Sequence, residues 1–284
     1  MLKKIICGIL TMASVTACAA TFTACETSHP EVEMQLEFNG KTYNLEYKLY
    51  RKLAPATVEH FLYLADEGNR YYDGLCIHDY AEDALYTGAY SLTDGNALDY
   101  KDYYAFVKDA SRSAAFPHSV WEDKEKSMAT YTLKGEFKNN KFTVKSGALK
   151  QSFGALTMYY HDKSTTQRVY VAGSDSKDTY LRNYEENSAT SMFYISMSTT
   201  QTTKNDYCTF ATLQSDSVEV LENLQTAIKD YIADNYSDNE NNFVEATSTR
   251  IDGDDAFVGE MTSYKTFNLP KQPIVINYVK VTKY

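Results

Sequence analysis

Ala54-Pro55-Ala56-Thr57-Val58-Glu59-His60-Phe61 and, after it, Tyr71-Tyr72-Asp73-Gly74-Leu75-Cys76-Ile77-His78-Asp79 are the segments from which the rest of the chain can be read. Pro55 sits in the first turn of a helix, where its missing N–H costs little. Val58, Phe61, Leu62 and Ala65 then recur at helical spacing, and Gly68 marks the stop. The Tyr72-Asp73-Gly74 turn leads into a short strand over Leu75–Tyr80.

Upstream, Val32, Met34, Leu36 and Phe38 alternate with Glu33, Gln35 and Glu37, the pattern of a half-buried strand. Asn39-Gly40 is a strong hairpin signal, and Tyr43, Leu45, Tyr47 and Leu49 alternate on the return strand. Downstream, strands are expected over Phe153–Tyr160, Ser191–Ser198, Tyr207–Leu213 and Ile274–Val281. Ser217 is expected to cap a long amphipathic helix through Val218, Leu221, Leu224, Ile228 and Ile232, with a polar loop over Asp234–Asn242. Two polar stretches, about 93–130 and 161–186, interrupt the strands as insertions, within one domain spanning 30–284. Many strands and two helices predict a mainly β barrel or sandwich with helical covers.

The chain has 284 residues, 43% hydrophobic and 23% charged, which fits a folded globular protein. With 28 basic and 38 acidic residues the net charge is −10, so nucleic acid is not an expected partner. Twenty-five Tyr and 13 Phe against one Trp favour strands over a helical bundle.

Residues 1–24 read as an export signal: Lys3 and Lys4 precede the apolar run Ile5, Ile6, Ile9, Leu10, Met12 and Val15. The run is short of the ~20 residues that span a bilayer. Val15-Thr16-Ala17-Cys18 resembles a lipobox, and so does Phe22-Thr23-Ala24-Cys25. The expectation is a lipid on Cys18 or Cys25, holding the protein at the extracytoplasmic face of the membrane. A plain secretory signal is the alternative. Diacylation contributes about 0.8 kcal/mol per buried CH₂, and two chains suffice for stable anchoring. Cys76 and Cys208 are either buried free thiols or a disulfide; spacing does not decide.

Six segments in order resemble the cyclophilin-type peptidyl-prolyl cis-trans isomerases. They are Ala54–Phe61 (A-P-x-T-V-x-N-F in the family), Tyr71–His78 (Y-Y-D-G-x-x-F-H), Leu133–Phe137 (I-K-G-E-F), Gly154–Met158 (G-x-L-S-M), Asn187–Ile195 (N-S-A-G-S-Q-F-F-I), and Phe210 with the helix after it. The resemblance implies a closed antiparallel eight-stranded barrel with two capping helices and the two insertions. It implies a monomer that needs no cofactor and acts on peptides or unfolded segments of extracytoplasmic proteins.

The family lowers the ~18–20 kcal/mol barrier to peptide-bond rotation without covalent chemistry. An apolar pocket holds the proline ring, and an Arg donates hydrogen bonds as the amide loses planarity. Here Asp79 stands at the Arg position. Ala84 replaces a pocket Phe, Leu85 keeps the Met position, and Thr87 stands at the Gln position. Tyr159 and Tyr160 fall at Ala-Asn, Met192 at a second Gln, Tyr194 at the pocket Phe, and Tyr207 at the pocket His. Losing one preorganised donor costs about 2.7–4 kcal/mol. The expectation is therefore a groove that faces peptides but isomerises them weakly or not at all, a pseudoenzyme. A non-catalytic binding module or a holdase is the alternative. Arg112 and Arg168, in the insertions, are the candidates for a replacement donor. The five His show no metal-ligand spacing, and Asp252-Gly253-Asp254-Asp255 reads as an acidic turn, so no metal is expected.

Overall fold

The computed structural model describes residues 28–142, 148–160, 167–173, 178–237, 239–251 and 263–284. The export signal with Cys18 and Cys25, His161 and the 252–255 acidic run lie outside them.

β1 (Glu31–Phe38) and β2 (Lys41–Leu49) pair in register from Glu31↔Lys48 to Phe38↔Lys41. Both turn residues take positive φ, Asn39 at 50° and Gly40 at 73°, a geometry this dipeptide tolerates. The strand alternation turns Val32, Met34, Leu36, Leu45 and Tyr47 fully inward. α1 (Pro55–Ala65) follows, then β3 (Asp79–Ala81) and β4 (Ala84–Thr87). Between β4 and the next barrel strand come β5 (Tyr90–Leu92) and, within the expected first insertion, β6 (Leu98–Tyr100), α2 (Tyr103–Lys108), α3 (Ala110–Ser113) and β7 (Val120–Trp121). β8 (Leu156–Met158) returns to the barrel; β9 (Arg168–Ala172) and β10 (Thr179–Asn183) form the second insertion. The two insertions join, because β7 pairs with β9. β11 (Phe193–Ser196), β12 (Thr209–Leu213), α4 (Ser215–Tyr236) and α5 (Glu240–Phe243) come next. A hairpin, β13 (Val244–Ile251) and β14 (Ser263–Pro270), precedes the last strand, β15 (Ile274–Lys283).

The main sheet has eight strands in the order β15-β1-β2-β12-β8-β11-β4-β3. A closed ladder was expected, but β15 and β3 do not pair as strands. The segment between them bridges the gap with irregular bonds. Gly74 and Ile77 donate N–H groups to Ile276 and Ile274, and Ile276 donates to Leu75. Cys76 and His78 point their N–H groups the other way, to Tyr90 and Tyr86. The expected strand over Leu75–Tyr80 is thus regular only from Asp79, because its first residues divide their bonds between two sides.

α1 delivers Phe61 into the barrel, where its ring lies 5.1–5.5 Å from Tyr72, Phe193 and Phe210. α4 buries Leu221, Leu224, Ile228 and Ile232 and begins two residues before Ser217, with Gln214 in the cap position. Ser217 instead accepts the Glu46 N–H at 2.8 Å and so ties the helix to β2. The helix runs through Tyr236, into the segment read as a polar loop. Cys76 and Cys208 are both buried and free. Among the described residues no helix is long and apolar enough to cross a membrane.

Candidate functional site

The segments quoted above hold one another. Glu136, fully buried, accepts the N–H groups of Ala56 (3.1 Å) and Thr57 (2.9 Å), satisfying two orphan donors at the start of α1. Its neighbour Lys134 lies 3.9 Å away. Burial raises the Glu136 carboxyl above its ordinary value and lowers Lys134 below its own. Asn187 accepts the Gly135 N–H at 3.0 Å and donates to the Asn183 carbonyl at 2.6 Å. Ser191 donates to the Gly88 carbonyl at 2.6 Å. Gly88 has φ +101°, and a Cβ there would lie 2.4 Å from the Ser191 carbonyl oxygen.

Across the barrel wall, pairing places Asp79 opposite Tyr86, Tyr86 opposite Tyr194, Tyr194 opposite Thr157 and Thr157 opposite Thr209. These residues alternate with Leu85, Ile195 and Leu156, which face the interior and are fully buried. They therefore form a row on the outer face. Its rings interlock: Tyr86 lies 5.1 Å from Tyr194 and 6.3 Å from Tyr159, and Tyr207 lies 6.5 Å from Tyr194 and 6.2 Å from Tyr160.

The structure thus brings Asp79, Tyr159, Tyr160, Tyr194 and Tyr207 together. Met192 adjoins them in a cluster with Cys76, Ala89, Tyr90, Tyr159 and Phe267. Ala84 is buried opposite Ser196. Leu85 packs in the core rather than on the row, and Thr87 donates its hydroxyl to the Cys76 carbonyl at 2.8 Å. Tyr86, which is not among the residues expected from the family pattern, supplies the ring between Asp79 and Tyr194. Alternation along Ala84–Thr87 was the signal that could have found it.

One end of the row is covered by β14. The Asn268 N–H donates to Asp79 Oδ1 at 2.9 Å. Burial raises the Asp79 carboxyl, opposed by that hydrogen bond and by Lys265. Lys265 stands 4.7 Å above the Tyr159 ring and hydrogen-bonds its hydroxyl. Phe267, 2% exposed, packs on His78 and Tyr90 with centroids 4.8 and 5.6 Å away. His78 is wholly buried, and neither ring nitrogen has a hydrogen-bond partner among the described residues. Burial, with Lys265 adding to it, pushes its pKa down to about 3.

The other end is more open: Tyr207 is partly exposed. There a cleft of ≈ 250 Å³ is walled by Phe137, Tyr160 and Tyr207 and by Glu185, Glu186 and Asp206. Arg112 lies over Phe106 at 4.3 Å and 3.8 Å from Asp109, while Arg168 donates to the Leu181 carbonyl at 3.3 Å. Both are engaged within their insertions. Among the described residues no three His, Cys, Asp or Glu side chains group as metal ligands.

Solved structures similar to the chain include a Cryptosporidium parvum cyclophilin type peptidyl-prolyl cis-trans isomerase, at 13% identity and TM-score 0.43, covering 90% of this chain and 99% of that one. The Mimivirus cyclophilin matches at 14% identity and TM-score 0.44, covering 91% of each chain. The C. parvum protein in the presence of the dipeptide Ala-Pro matches at 13% identity and TM-score 0.44, covering 89% of this chain and 99% of that one. No curated protein sequence matches the chain. The model of the cyclophilin type peptidyl-prolyl cis-trans isomerase family matches residues 33–246, most of the barrel described above, and the chain belongs to that family.

Proposed function

We infer that the protein is a membrane-anchored cyclophilin homologue that binds peptide segments of extracytoplasmic proteins and isomerises their X–Pro bonds weakly or not at all. The carrying observation is Asp79. The family's Arg position holds a carboxylate that offers no N–H to a twisting amide, and its oxygen is already engaged by Asn268. The aromatic row supplies flat apolar surface for a peptide, which a binding role needs and a donor-less site retains. The lipid on Cys18 or Cys25 supplies the anchor.

The test is an isomerisation assay on succinyl-Ala-Ala-Pro-Phe-4-nitroanilide. The expected kcat/KM is at least about 10²-fold below that of an Arg-bearing cyclophilin assayed alongside. Efficiency equal to that enzyme would refute the degenerate reading. Labelling with radioactive palmitate, in Cys18→Ser and Cys25→Ser variants, identifies the lipidated residue; label in neither wild type nor variants would exclude the anchor.

The runner-up is a holdase. The cleft at the open end, where aromatic walls meet acidic side chains, favours it modestly. Suppression of aggregation equal for proline-free and proline-containing clients would select it.

A further inference from the structure

The β13–β14 hairpin leaves and rejoins the barrel at one point. The Lys271 N–H donates to the Phe243 carbonyl at 2.9 Å, and Val244 pairs with Pro270. The hairpin is therefore closed at its base, and replacing it leaves the two barrel ends already joined. It meets the aromatic row through one strand. On β14, Phe267 packs with Met192 and Tyr159, Lys265 engages the Tyr159 ring and hydroxyl, and Asn268 caps Asp79. A peptide laid along the row from the open cleft would meet β14 at Tyr159. The cover also fits imperfectly. Phe267 presses on His78, whose two ring nitrogens find no hydrogen-bond partner among the described residues. Burying such groups is unfavourable, and withdrawing β14 would return them to water. Asp79 likewise regains its hydration when Asn268 leaves.

We propose that β14 is a displaceable internal occupant of the peptide groove, competing with a proline-containing peptide for the end formed by Asp79, Tyr159 and Met192. This rests on the peptide-binding reading of the groove. It adds that the closed arrangement holds affinity down. A groove open for about a tenth of the time binds about tenfold more weakly than a permanently open one.

The experiment compares the full chain with a variant in which residues 245–269 are replaced by Gly-Gly, which the closed base permits. A second variant, Lys265→Ser with Phe267→Ser, keeps the hairpin but loosens it, and decides the matter should the deletion fail to fold. Binding of succinyl-Ala-Ala-Pro-Phe-amide is read by calorimetry, and hydrogen exchange follows the Asn268 amide. The expected result is binding tighter by about tenfold or more in the variants, with peptide speeding Asn268 exchange in the wild type. Equal affinities, with Asn268 exchange unchanged by peptide, would overturn the occupant while leaving a peptide groove. Absence of binding by every folded variant would remove the groove reading and the occupant with it.

Discussion

Asn268 and Asp79, 189 residues apart in sequence, meet at 2.9 Å, backbone N–H to carboxylate oxygen. On the proposed reading, the bond sits at the position where the family carries its Arg. Asp79 thus fastens β14 to the barrel edge. Asp79→Ala should remove the acceptor and loosen the hairpin by about 1 kcal/mol. Hydrogen exchange would show it as faster exchange of the Asn268 amide with Leu45 unchanged. Equal acceleration at both amides would mean that the bond is not local to the hairpin.

Restoring the charge is not expected to restore catalysis by itself. In Asp79→Arg the guanidinium replaces an acceptor with a donor that faces the Asn268 N–H, so β14 has to move before a peptide arrives. Isomerase kcat/KM should rise more from Asp79→Arg in the hairpin-deleted chain than in the intact one. An equal rise in both backgrounds would argue that β14 does not obstruct the site.

Two buried histidines set a pH dependence. His60 and His78 have pKa values pushed down to about 3 by burial, against an ordinary value of 6.5. Between these values the unfolded chain binds the extra protons, so stability falls as pH drops below 6.5. Asp79 and Glu136, raised by burial, bind more protons when folded and oppose the trend in the lower part of that window. Thermal melts from pH 7 to pH 5 should show Tm decreasing, and His78→Leu should shallow the slope. His78→Leu should also stabilise by about 1 kcal/mol at neutral pH, since its nitrogens have no hydrogen-bond partner among the described residues. A pH-independent Tm would contradict the burial of both rings.

Glu136 and Gly88 report on the scaffold. Glu136→Ala strips two N–H groups of α1 of their acceptor and leaves the buried Lys134 with the Ala172 carbonyl but no carboxylate, at a cost of about 3–5 kcal/mol. Glu136→Gln, which keeps an acceptor, should cost less. Gly88→Ala forces a Cβ to 2.4 Å from the Ser191 carbonyl at φ +101°, a loss of about 2–4 kcal/mol. Urea denaturation measures all three; a Gly88→Ala midpoint equal to wild type would show that the two strands part easily.

The chain by itself determined what local rules govern. Asn39-Gly40 specifies a tight turn because both residues tolerate positive φ, and the alternation of Val32–Phe38 selects the buried face. The spacing of Val58, Phe61 and Leu62 makes α1, and the order of motifs makes the family. Tertiary structure decided which face each counted residue occupies. Leu85 and Thr87 lie one step along β4 from Tyr86, and one step in a strand reverses the side chain. It also decided that β14 lies over one end of the aromatic row, for a hairpin of mixed polar residues carries no strong period of its own. Only the barrel surface, by giving Phe267 an apolar seat and Asn268 an acceptor, fixes where that hairpin rests.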